Sequence, residues 1–226
     1  MFIGHYALGL AAKRAAPRTS LGNLFIAPTL ADLLWPIFLL LGMEHVHAVP
    51  NPNSFLVGWF DAYPYSHSLF MLIVWGALYG FLYRARTGDK RAALVIGILV
   101  VSHWVLDVIT HRPDMPLYPG GPEVGLGLWN SAPATIAVEA LMLLFGVAIY
   151  VRTTRARDGI GRWGFWSLVL LLVISYIGSI KTPAPSSITA LAIGAIIFGG
   201  VFVLFAWWVD RHREATSIPS NHPAPR

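Results

Sequence analysis

Six separated stretches of hydrocarbon decide what this chain can fold into. Residues 21–42, 65–85, 91–111, 133–152, 162–181 and 187–209 each run to about 20 largely apolar residues. At 1.5 Å per helical residue, that length crosses a hydrocarbon core roughly 30 Å thick. Only 12% of the chain is charged and 56% is apolar, whereas soluble domains run near 25% charged. A water-soluble globule, a disordered chain and a nucleic-acid-binding domain are all excluded by that balance. The absence of cysteine removes disulfides, thiolate metal sites and cysteine nucleophiles as well.

A seventh apolar segment, residues 2–16, is too short to cross comfortably and ends in Lys13 and Arg14 ahead of Pro17. A secretory signal carries its basic residues before the apolar run; here they follow it. The expected fold is all-α: a polytopic bundle of six transmembrane helices plus a short N-terminal helix dipping into the bilayer. One domain spans residues 1–211, with polar chemistry in 1–140 and scaffold helices in 160–211. The Pro-rich residues 212–226 read as a disordered tail.

Orientation follows from the basic residues. Of 16 Lys and Arg, only Arg112 and Lys181 fall in one set of connections; the alternate set holds all the others. The basic side is therefore expected to be cytoplasmic, with the C-terminus, in a bacterial inner membrane. The segments 43–64, 112–132 and 181–186 would lie outside. The first two carry many prolines and glycines, as binding loops or lids do. Trp163, Trp166, Trp207 and Trp208 fall where an inner aromatic belt belongs.

Ionisable groups inside a span are costly and need a partner. They are His5, Asp32, His67, His103, Asp107, His111 and Glu139. Counting 1.5 Å per residue from the basic ends puts Asp32 and His103 roughly 18 Å deep, Glu139 about 20 Å, Asp107 roughly 24 Å and His67 about 25 Å. His5 reaches roughly 12 Å on an upward-pointing helix. Groups from distant parts of the chain thus share one layer, between the midplane and the outer interface. His103, Asp107 and His111 follow one another at steps of four, which places them on one helix face. Imidazole and carboxylate are both donors for Zn²⁺ and similar divalent ions, and a carboxylate also serves to orient an imidazole. Ser66 and Ser68, flanking His67, suit helix capping or substrate contact. Glu44, His45 and His47 read as solvated loop residues, and the 125–131 run as a loop packing over the site or a turn before the fourth span.

Gly4-His5-Tyr6, an Asp within the first span, Ser66-His67-Ser68-Leu69 and Ser102-His103-Trp104-Val105-Leu106-Asp107 occur in that order. This order resembles the bacterial membrane-bound metal-dependent hydrolase family of LexA-regulated inner-membrane proteins. The resemblance covers about residues 1–120. It implies metal-site roles for His5, Asp32, His67, His103 and Asp107. Position 34, where the family often has a second acid, holds Leu34, and an earlier family His falls at Ala62.

Two functions are expected to compete, ahead of a haem-binding or structural role in which His67 and His103 would be axial ligands and which their different depths disfavour. The first is a metal-dependent hydrolase with one divalent ion, such as zinc, and Glu139 or His111 as general base. Membrane lipids would surround it, and its substrate would be amphiphilic or lipid-linked. The second is a proton-coupled carrier using the same His and Asp residues as a relay. The absence of an internal repeat weighs against the carrier.

Overall fold

A computed structural model describes residues 1–47, 59–181 and 187–216. Six helical segments are long and apolar enough to cross a membrane: Leu21–Leu40, Leu69–Thr87, Lys90–Thr110, Ala132–Thr153, Ile160–Ile180 and Ile188–Arg211. The architecture is the expected polytopic helical bundle. The prolines at 50, 52, 219, 223 and 225, and most of the 181–186 turn, lie outside the described residues.

The N-terminal helix α1 (Ile3–Ala12) is buried on nearly every side. It packs chiefly against α7 (Ala132–Thr153), where Gly146 lets the two backbones touch. The first span is broken into α2 (Leu21–Ile26), a 3₁₀ turn at Ala27–Thr29 and α3 (Leu30–Leu40). Pro28 causes the break, because proline has no N–H to continue the helical ladder. A broken helix in a membrane must be enclosed by protein, and Ala27, Pro28 and Thr29 are all buried.

A short helix α4 (Pro64–His67) precedes α5 (Leu69–Thr87), which Ser68 caps by accepting from the Met71 N–H. Gly88, left-handed at φ 73°, ends α5 and turns the chain into α6 (Lys90–Thr110). The fold closes with α8 (Phe165–Lys181), entered through a π turn at Ile160–Gly164, and α9 (Ile188–Arg211). Tyr6, Leu10, Leu24, Phe25, Leu172 and Phe202 are among the residues of the central core.

Three two-stranded ladders dress the ends: β1 (His45–His47) with β2 (Trp59–Ala62), β3 (Met115–Pro116) with β4 (Glu123–Val124), and β5 (Thr154–Ala156) with β6 (Arg213–Ala215). The last corrects the expectation of disorder from residue 212 onward. Arg213 donates to Thr154 Oγ1 at 3.0 Å and to the Gly161 carbonyl at 2.7 Å, and its guanidinium lies 5.2 Å from the Tyr150 ring. His212 pairs with Asp158 at 2.7 Å. These contacts order residues 212–216 despite their polar composition.

Candidate metal centre

Two carboxylates sit at the middle of the polar layer. Asp32 lies in the first turn of α3 and Asp107 on α6. His103 stands between them, its Nε2 3.0 Å from Asp107 Oδ2 and 3.9 Å from Asp32 Oδ1. His67, at the end of α4, brings Nε2 to 3.6 Å from Asp32 Oδ1. His5 on α1 brings Nε2 to 3.0 Å from Asp107 Oδ1, and its ring stacks on that of His103 at 4.0 Å. His111 follows α6 and places Nε2 3.7 Å from Asp107 Oδ2. All six lie in one cluster. Met1 adds its ammonium to Asp107 Oδ1.

The far side of each imidazole decides how it faces this centre. His103 Nδ1 lies 2.8 Å from the Pro28 carbonyl oxygen, which only accepts, so Nδ1 carries the proton. The break in the first span thus supplies an orienting group for a histidine 75 residues later. His67 Nδ1 donates to Ser66 Oγ at 2.7 Å, because that hydroxyl gives its own proton to Glu44 Oε2 at 2.7 Å. His111 Nδ1 donates to Asp114 Oδ1 at 2.9 Å. Tyr63 OH also donates to Asp114, at 3.0 Å, and burial beside that carboxylate pushes the phenol pKa up, keeping it a donor.

With the proton fixed on Nδ1, a neutral ring turns a bare Nε2 lone pair toward the carboxylates. His103 Nε2 is fully buried and makes no hydrogen bond, although a carboxylate oxygen stands 3.0 Å away. Two lone pairs facing each other in a buried site repel unless a cation or a proton lies between them. Two donor sets suit an ion: His5, His103 and Asp107, and Asp32, His67 and His103, each with its ligand atoms within 4.8 Å of one another. A tetrahedral ion with bonds of about 2.1 Å separates its ligands by roughly 3.4 Å. The residues therefore fit a divalent metal in spacing and donor type, and His67 and His103 fit in tautomer as well, whereas His5 holds its Nε2 in hydrogen-bond contact with Asp107 Oδ1.

Around the cluster is a cavity of about 220 Å³, lined by Trp35, Tyr63, Trp129 and Glu139 among others. Asp32, its side chain 48% exposed, is the most open of the cluster carboxylates. The 125–131 run packs over the site: the Trp129 ring lies 4.0 Å from that of His111, and Gly127 N–H bonds to the His111 carbonyl. A side chain at Gly125 would collide with the Arg112 carbonyl, which is why glycine occupies this approach.

Glu139 is buried against the cavity, but its Oε2 accepts the Phe2 and Gly4 N–H groups at 2.9 and 3.1 Å. That oxygen caps the positive end of α1. Oε1 has no hydrogen-bond partner among the described residues. The expectation of a solvated Glu44 is corrected: it is 2% exposed. Its Oε1 accepts the Tyr65 and Ser66 N–H groups, both at 2.8 Å, while Oε2 holds Ser66. Glu44 and Asp114 are functional candidates that spacing alone did not reveal. For Asp114 the signal was its place three residues after His111; for Glu44, in a loop, there was none.

No curated protein and no solved structure matches this chain. The family model of the YdjM inner membrane protein matches residues 64–184, a stretch that holds His67, His103, Asp107, His111, Asp114 and Glu139. That match covers more than half of the 226 residues, and the chain belongs to the bacterial YdjM inner-membrane protein family.

Proposed function

We propose that the protein is a metal-dependent hydrolase of the inner membrane. The observation that carries this reading is the orientation of three imidazoles on separate acceptors, so that His103 and His111 turn Nε2 toward buried Asp107 and His67 turns Nε2 toward half-exposed Asp32. Asp32, His67, His103 and Asp107, with His5 stacked behind, would hold one divalent ion of the zinc type. Such an ion supplies hydroxide near neutrality by lowering the pKa of bound water towards about 7. His111 is the better general base of the two candidates. Its Nδ1 is fixed by Asp114, and its Nε2 faces the cavity beneath Trp129. Glu139 has one oxygen committed to α1 and acts as a positioning residue at that helix end.

The basic side faces the cytoplasm, together with the C-terminus, so the cavity opens toward the non-cytoplasmic leaflet. A cavity of about 220 Å³ takes a head group and no more, while aromatic walls and surrounding lipid accommodate an apolar remainder. The substrate class is accordingly an amphiphilic or lipid-linked ester or phosphoester. The test is release of a water-soluble head group from such lipids in proteoliposomes, with metal-loaded and metal-stripped protein. Metal-dependent release that disappears in His103→Ala supports the reading. Equal release by loaded and stripped protein across the panel overturns it.

A further inference from the structure

The hairpin of α5 and α6 holds its two helices unusually close. A Cβ on Gly76 would lie 2.9 Å from the Gly97 carbonyl oxygen, and one on Gly80 would lie 2.9 Å from that of Ala93. Small residues permit such backbone approach inside a membrane. The outward face of the hairpin carries a groove of about 660 Å³. Ile73, Phe81, Leu94, Ile98 and Val105 line it, and each is at least half exposed. At the end nearest the Gly88 turn, Arg84 and Lys90 line the same groove. Both are exposed, and neither has a carboxylate partner among the described residues.

We propose that this groove binds one anionic diacyl phospholipid, its phosphate between Arg84 and Lys90 and an acyl chain along the apolar walls. The dimensions suit that occupant. From Lys90 to Val105 the groove follows α6 for roughly 22 Å at 1.5 Å per residue, enough to pass from the head-group level through one leaflet, half of a roughly 30 Å core. The two cations stand where an anionic head group lies on the basic side of a membrane. A second copy of the chain fits poorly: a two-fold interface over the groove brings like surfaces together and sets the Arg84–Lys90 pairs of both copies against each other at one depth. The groove is separate from the metal centre, since His103 and Asp107 lie on the buried face of α6.

The full chain in detergent, offered equal amounts of phosphatidylglycerol and phosphatidylcholine with identical acyl chains, is read by native mass spectrometry. The expected result is retention of phosphatidylglycerol over phosphatidylcholine by roughly tenfold, undiminished by millimolar inorganic phosphate. Arg84→Gln/Lys90→Gln should bring the ratio close to one; both side chains are exposed, so the packing stays intact. Ile98→Trp, which fills the groove, should reduce retention of both lipids. An even ratio in the wild type, a preference that survives the double substitution, competition by free phosphate, or a lipid-free dimer lost in Ile98→Trp would each overturn the proposal.

Discussion

The protein buries two acidic centres at opposite ends of the bundle, and they are built to different rules. At the basic end, Asp210 accepts Lys13 Nζ on both oxygens at 2.8 and 2.7 Å, Tyr150 OH at 2.8 Å and the Leu21 N–H at 3.0 Å. Lys13 gives a further proton to the Thr19 carbonyl. Every charge there meets its complement. At the other end, Asp107 Oδ1 takes the Met1 ammonium and His5 Nε2, but Asp107 Oδ2 and Asp32 face the Nε2 atoms of His103, His67 and His111, and His103 Nε2 makes no hydrogen bond. A closed network fastens a fold, whereas one made of metal donors is what the proposed ion would complete. Burial of charge is common to both centres; what distinguishes them is the completeness of hydrogen bonding.

That contrast breaks most visibly when one residue is removed from each centre. His103→Phe is expected to abolish metal retention outright. In the presence of a chelator it should cost no more than about 1–3 kcal/mol, the share of the Pro28 carbonyl left without its donor. Metal content and melting temperature of the same samples check both halves. Lys13→Met should do the reverse. Uncompensated Asp210 then costs about 3–5 kcal/mol, read as a lowered melting temperature, while metal per folded molecule stays at the wild-type value.

Two milder substitutions sharpen the comparison inside the candidate metal centre. Ser66→Ala frees the His67 ring from the Glu44 relay and should weaken metal affinity roughly 10- to 100-fold, measured by competition with a chelator of known affinity. Asp114→Asn keeps an acceptor for His111 Nδ1 but removes its charge. Its effect on metal affinity should be smaller, at about tenfold or less, with a larger loss in turnover if His111 is the base.

The spans were legible in the sequence because hydrocarbon thickness imposes a length that no packing detail alters. The layer of His5, Asp32, His67, His103, Asp107 and Glu139 was legible for a related reason: helix rise converts residue number into depth. Depth says nothing of direction around a helix, however, so the turn of Glu139 toward the start of α1 was hidden. Loops have no such ruler. Glu44 and Asp114 reach their histidines by chain reversals at β1–β2 and β3–β4, and a carboxylate in a loop reads as solvated until its partners are seen. The break at Pro28 was not read in the 21–42 stretch, and the Pro28 carbonyl becomes an orienting acceptor only because α6 lies beside it.

The most direct measurement is the divalent-metal content of the full chain, purified in detergent without chelator and compared with Asp32→Ala/His103→Ala prepared in parallel. The account predicts close to one tightly held transition-metal ion per wild-type chain and none in the doubly substituted protein at unchanged fold. Wild-type protein that emerges free of metal and binds none on dialysis against zinc or manganese, or a double variant that keeps its full complement, would contradict it.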